Sequence, residues 1–268
     1  MSTRDHRITI AVGSEHIAGT IVTPDTVVPG ILFLHGWGGS QEHYLARARE
    51  IAALGCVSLT VDLRGHADKA HQRETVTRDD NLKDALAAYD ALASQKLVDP
   101  TSIAVVGSSY GGYLAAILTT ERPVRWLALR VPALYMDEDW NVPKQSLDRE
   151  ALRAYRSREV PPSENRALAA CAAFKGDVLI VESERDTTVP HPAIESYVEA
   201  SRHAHSLTYR VIEGADHGLS EERWQRAYTS ILVNWLTEMV FGARQGVTGA
   251  QGSARAGAAP IEAKPEKA

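Results

Sequence analysis

Three short stretches of this chain hold residue types that could carry covalent chemistry. Gly107-Ser108-Ser109-Tyr110-Gly111-Gly112 follows an apolar run, Ile103 to Val106, and precedes the helix-like Tyr113 to Thr119. G-x-S-x-G between a strand and a helix throws its middle residue out of a sharp turn, so Ser109 is the candidate nucleophile and Ser108 is not. A glycine-rich turn whose serine merely caps the next helix would share this local pattern, so the other two stretches must decide.

A serine hydroxyl needs an adjacent base. Of ten histidines, His217 stands in Gly214-Ala215-Asp216-His217-Gly218, a loop between the apolar run Leu207 to Ile212 and the last helical segment. His6, His16, His203 and His205 lie in polar connectors or in the N-terminal hairpin. His66 and His71 follow Asp62-Leu63-Arg64-Gly65, which reads as a structural turn. The base also needs an acceptor that fixes its tautomer and stabilises the imidazolium. Val178-Leu179-Ile180-Val181-Glu182-Ser183-Glu184-Arg185-Asp186 ends a strand-like run, and Asp186 lies just beyond it. Glu182 and Glu184 compete locally. Glu184 could pair with Arg185 at the surface, and Asp216 is too constrained by adjacency to orient His217. The spacing selects Ser109, Asp186 and His217, in that chain order.

His35-Gly36-Trp37-Gly38-Gly39 closes another run, Ile31 to Leu34. A glycine-rich corner there can aim backbone N–H groups at a developing oxyanion, with Trp37 and Tyr110 the expected donors. His35 itself reads as a structural hydrogen-bonding residue.

These groups must be positioned by a scaffold. Ile8 to Val12 and Ile17 to Val22 read as a hairpin. Ile31 to Leu34, Val57 to Val61, Ile103 to Val106, Leu127 to Val131, Val178 to Val181 and Leu207 to Ile212 have the length of buried strands. Amphipathic segments alternate with them. In Asn81 to Gln95, residues Leu82, Ala85, Leu86, Tyr89, Leu92 and Ala93 share one helical face, and Trp224 to Met239 repeats that period. Continuous apolar strands between such helices predict a mostly parallel α/β sheet covered on both faces, with chemistry at the strands' carboxyl ends.

Residues 132–176 interrupt the alternation. This stretch is too long for a plain connection and reads as a cap-like insertion with helices near Leu147 to Ser157 and Glu164 to Phe174. Tyr135, Trp140 and Tyr155 within it either line a substrate pocket or pack the insertion's own small core. Residues 242–268 are rich in Ala and Gly with few larger aliphatics, and are expected to form a disordered tail behind one catalytic domain, 1–241.

The assembled motifs resemble the α/β-hydrolase superfamily over about residues 8 to 241. Gly107-Ser108-Ser109-Tyr110-Gly111-Gly112-Tyr113 with Arg185-Asp186-Thr187-Thr188-Val189-Pro190 is similar to its dienelactone-hydrolase and prolyl-oligopeptidase-like branch. The resemblance implies an eight-stranded, mostly parallel sheet, a Ser109–Asp186–His217 triad, and Trp37 and Tyr110 N–H groups as oxyanion donors. Two departures stand out. Dienelactone hydrolases use a cysteine where this chain has Ser109, and only about a hundred residues precede the serine, which leaves no room for an oligopeptidase propeller.

The expected activity is hydrolysis of small carboxylic esters through an acyl-enzyme. A small aminopeptidase or amidase, and a non-catalytic ligand-binding module of the same fold, are the alternatives. No histidine–carboxylate spacing suggests a metal, and no dinucleotide fingerprint suggests an organic cofactor. The formal net charge of −5 gives no electrostatic footprint for nucleic acid or anionic lipid. The apolar runs are too short to span a bilayer, and the N-terminus lacks the apolar core of a secretory signal. Two cysteines, Cys56 and Cys171, are too few for a disulfide framework. A cytoplasmic enzyme acting on a small-molecule ester is the resulting expectation.

Overall fold

Every strand-like run of the sequence becomes a strand of one sheet. The computed structural model describes residues 3–24 and 28–255. The strands are β1 (Thr3–Val12), β2 (Glu15–Pro24), β3 (Val28–Leu34), β4 (Val57–Val61), β5 (Val98–Ser108), β6 (Trp126–Arg130), β7 (Asp177–Ser183) and β8 (Ser206–Ile212). Their order is β1-β2-β4-β3-β5-β6-β7-β8. β1 and β2 form an antiparallel hairpin, β2 joins β4 antiparallel, and β3 to β8 run parallel.

The central strands are apolar throughout because both faces are covered. In β3, Ile31 and Phe33 face a core shared with helices α1 (Glu42–Ala53) and α7 (Glu222–Arg255), through Tyr44, Ile51, Leu232 and Trp235. Leu32 and Leu34 point the other way, into a core with α2 (Arg78–Ala93), α3 (Tyr110–Glu121), α5 (Arg166–Ala173) and α6 (His191–Ala200). α2 starts a turn earlier than its apolar stripe suggested. Thr77 accepts from the Asp80 N–H, and the Asp80 carboxylate accepts from the Thr77 N–H, so a reciprocal cap fixes the start.

The insertion follows β6 and contains α4 (Arg149–Arg156), α5 and three single turns of 3₁₀ helix. It is bound to the body on two sides. The Lys144 N–H donates to the Val76 carbonyl, Arg156 Nη1 donates to the Thr188 carbonyl, and the Val160 N–H donates to Ser196 Oγ.

One boundary differs from expectation. α7 runs to Arg255, past the domain boundary expected at residue 241. Once a packed helix is nucleated, each further residue adds a hydrogen bond. The rest of the expected tail, residues 256–268, lies outside the described residues. Both cysteines are buried and not disulfide-bonded.

Candidate active site

Ser109 stands between β5 and α3 with φ 52° and ψ −113°, a strained backbone for a residue with a side chain. Such strain costs on the order of 1–3 kcal/mol and persists only where the surroundings enforce it. The enforcement is visible in the neighbouring glycines. A Cβ on Gly107 would meet the Gly111 carbonyl oxygen at 2.4 Å, and one on Gly111 would meet the Leu34 carbonyl oxygen at 2.2 Å. Backbone contacts also clamp the turn, since the Ser109 N–H donates to the Arg130 carbonyl at 2.9 Å and the Ser109 carbonyl accepts from Ala133 at 3.0 Å. Ser109 thus precedes the first turn of α3, where unpaired N–H groups and the helix dipole favour negative charge.

Asp186 and His217 meet across the ends of β7 and β8. His217 Nδ1 lies 2.6 Å from Asp186 Oδ2, and the carboxylate is 1% exposed. The other oxygen, Oδ1, accepts the N–H groups of Thr188 and Val189, each at 2.8 Å. With Nδ1–H donating to Asp186, the lone pair of His217 resides on Nε2. The competing carboxylates are engaged elsewhere. Glu182 binds Tyr209 Oη and His191 Nδ1, Glu184 accepts the Gly214 N–H rather than pairing with Arg185, and Asp216 binds Ser220.

Ser109 and His217 line one cavity of about 530 Å³. Its rim on the other side is the turn after β3, with His35, Gly36, Trp37, Gly38 and Gly39. That turn abuts Ser109, since a Cβ on Gly36 would sit 3.3 Å from the Ser109 Cβ. Two buried histidines hold the turn in place. His35 Nε2 accepts the Leu63 N–H at 3.1 Å and Nδ1–H donates to the Gly36 carbonyl at 2.8 Å. His66 Nε2 accepts the Gly38 N–H at 3.0 Å. Burial, the largest influence on both, pushes each imidazole down to about 4, so both are neutral acceptors. His35 is structural, as its sequence context suggested, and the turn of His66 has the same role.

The aromatic residues of the insertion are placed elsewhere. Tyr135 is 3% exposed and packs edge-on against Tyr110 and Tyr113. Trp140 donates from Nε1 to Asp79 and carries the Arg166 guanidinium 3.9 Å from its ring centre. Tyr155 Oη accepts from Asn165. None of the three lines the cavity that holds Ser109; they pack the insertion and its seat. Tyr110 is fully buried, its hydroxyl donating to Asn81, so any part it plays at Ser109 is through its backbone N–H.

Residues not singled out in the sequence complete the cavity wall: Glu42, His43, Tyr44 and Arg47 from α1, Gln225 and Tyr228 from α7, and Arg130 at the end of β6. Burial drives the Tyr228 phenol up to about 12. Arg130 left a signal, as a charged residue within the apolar run Leu127 to Val131.

Among the described residues, no group of three or more His, Cys, Asp or Glu side chains could hold a metal ion, and no helix is long and apolar enough to cross a membrane.

Several solved structures share this architecture. The dienelactone hydrolase of Anabaena variabilis superposes with a TM-score of 0.64 at 18% identity, covering 88% of this chain and 98% of its own. Est1E of Butyrivibrio proteoclasticus, solved with ferulic acid bound, gives 0.66 at 19% identity over 86% of this chain and 98% of its own. The acylaminoacyl peptidase of Pyrococcus horikoshii gives 0.66 at 16%, covering 88% of this chain but 41% of that one. In sequence, an uncharacterized protein of Mycobacterium tuberculosis (strain ATCC 25618 / H37Rv) is 29% identical over 212 residues, 78% of this chain and 70% of that protein. The mouse sn-1-specific diacylglycerol lipase ABHD11 is 31% identical over 105 residues, 37% of this chain and 30% of its own. The sequence pattern of the prolyl oligopeptidase family matches residues 42–242. This chain, an α/β-hydrolase in fold, belongs to the prolyl oligopeptidase family.

Proposed function

We propose that this chain is a serine hydrolase that cleaves small carboxylic esters through an acyl-enzyme on Ser109. His217 Nε2 takes the Ser109 proton as Oγ attacks the ester carbonyl, while Asp186 stabilises the imidazolium that forms. The oxyanion rests on the Trp37 and Tyr110 N–H groups. His217 then protonates the departing alcohol, and water enters by the same route to release the acid.

The observation that carries this reading is the 2.6 Å contact between Asp186 and His217 Nδ1, made while His217 lines one cavity with the strained Ser109. A binding module has no need of an oriented imidazole beside a serine held in a costly conformation.

The cavity wall favours esters over peptides with a free amino terminus. Arg47 and Arg130 line it, against one carboxylate, Glu42. Neither arginine has a carboxylate partner among the described residues, and such a wall repels an ammonium group. The fold does not make this choice, because esterases and peptidases share it.

The test is a series of p-nitrophenyl esters of increasing acyl length beside aminoacyl p-nitroanilides. Short esters should turn over, with a decline once the chain outgrows the cavity, and Ser109→Ala should lose at least about 10³ in kcat. Undiminished turnover in Ser109→Ala would remove the nucleophile assignment. Faster cleavage of the anilides would favour the amidase reading, and no turnover of either class would favour a binding module.

A further inference from the structure

Arg130 is the last residue of β6 and is 8% exposed. A guanidinium cannot lose its charge in a protein, and burying it without a counter-charge is costly. Yet Arg130 makes no ion pair among the described residues. Its contacts are polar and aromatic. Nε donates to Ser108 Oγ at 3.2 Å, Nη1 donates to the His217 carbonyl at 3.0 Å, and the guanidinium carbon lies 5.6 Å from the centre of the Tyr228 ring.

The backbone of the same residue holds the other half of the site, because its carbonyl accepts the Ser109 N–H at 2.9 Å. The next residue, Val131, has φ 39° and donates its N–H to Val181 on β7, so the strand end is itself fixed. One residue therefore touches the nucleophile turn through its backbone and through Ser108, and the loop bearing His217 through its side chain. That loop comes from the far side of the sheet, two strands away.

We infer that Arg130 is a positioning residue that sets the distance between Ser109 and His217 by tying the base loop to the nucleophile turn. This inference rests on the reading of Ser109 and His217 as nucleophile and base. The fork geometry is what the task needs, because two N–H groups on one rigid plane reach two fixed acceptors at once. A lysine ammonium, a point donor on a flexible stem, cannot reproduce that geometry.

The inference separates activity from stability in a way a packing role does not. Removing a buried charge that has no counter-charge relieves its desolvation cost, which offsets the two hydrogen bonds lost. Arg130→Met should therefore melt no lower than the wild type, while its kcat on a p-nitrophenyl ester falls about 100-fold, the order expected for a misplacement near 1 Å. KM should stay within about twofold, since binding is not what is lost. Arg130→Lys should not restore kcat, whereas guanidinium added to Arg130→Ala should raise it several-fold. A kcat within threefold of wild type in Arg130→Met, or a melting temperature that falls in step with activity, would overturn the inference.

Hydrogen exchange over residues 214–219, followed by mass spectrometry, provides a readout independent of turnover. Exchange there should quicken in Arg130→Met, and unchanged exchange would overturn the tether. If the wild type hydrolyses no ester, the functional reading fails, and this exchange measurement alone still decides whether Arg130 holds the loop.

Discussion

The two flanks of the sheet's carboxyl edge are built from different materials. On the side of α1 and α7, the wall beside Ser109 is polar and charged, with Arg47, Glu42, His43, Gln225 and Tyr228 around open space. On the side of the insertion, aromatic rings and cations fill the volume. Tyr135 carries Arg156 at 4.7 Å, Lys144 at 5.1 Å and Arg78 at 5.4 Å from its ring centre. The side that reads as a pocket from its tyrosines and tryptophan is packed, and the side that reads as ordinary helix surface is the one that opens. Aromatic residues provide large buried area and favour edge-to-face packing, so a cluster of them closes a cavity as readily as it lines one.

The contrast predicts that changes on the open side alter catalysis and changes on the packed side alter stability. The largest effect is expected at Asp186, the proposed orienting acid. Asp186→Asn should lower kcat by about 10⁴, measured on the fastest p-nitrophenyl ester. The asparagine can present an N–H to His217 and favour the wrong tautomer, with little change in the melting temperature.

The turn between the flanks should respond to acid. His35 and His66 are held neutral with ionisation near 4, whereas in an unfolded chain they ionise near 6.5. Between those values the unfolded state binds more protons. Stability is thus fully present above about pH 6.5 and is lost as pH falls toward 4. Melting temperatures taken from pH 7 to pH 4 should decline through that window, and a flat profile would show that the two histidines do not stay neutral in the fold.

A smaller effect tests the charge of the open wall. The kcat/KM ratio of a p-nitrophenyl hemisuccinate to the neutral butyrate should fall about tenfold in Arg47→Gln, and Arg47→Lys should recover part of it. An unchanged ratio would mean that Arg47 serves only structural contacts, such as its hydrogen bond to Thr229, which joins α1 to α7. The smallest effect lies on the packed flank. Trp140→Phe removes the indole N–H that reaches Asp79 at 3.1 Å and should cost about 1 kcal/mol of stability. Chemical denaturation measures that loss, and ester turnover should stay within twofold of wild type.

The fold was legible because period carries it. Val57 to Val61 is a strand from end to end, Leu127 to Val131 is offset by one residue from β6, and the other runs are strands with their ends trimmed. β5 begins earlier, at Val98, through Asp99, Pro100 and Thr101, which no apolar run marks. The residues at strand ends were legible for a related reason. A strained turn needs glycines on both sides of Ser109, and a base loop and an acid loop must each follow a strand. The cavity wall was not legible. Arg47 and Tyr228 are 181 residues apart in sequence (228 − 47) and become neighbours through the packing of α1 against α7, with Arg47 5.0 Å from the Tyr228 ring centre. On a single helix each is only a surface position. Arg130 lies between these cases, since a charge inside an apolar strand run is visible but its partner, the His217 carbonyl, is not.

The proposed reaction turns on Ser109, activated by His217, as nucleophile. A fluorophosphonate probe that reacts only with an activated serine tests it directly, with the site of attachment read by peptide mass spectrometry. One adduct is expected, on Ser109, absent in Ser109→Ala and formed far more slowly in Asp186→Asn. An adduct on Ser108 or elsewhere, or none at all, would contradict it.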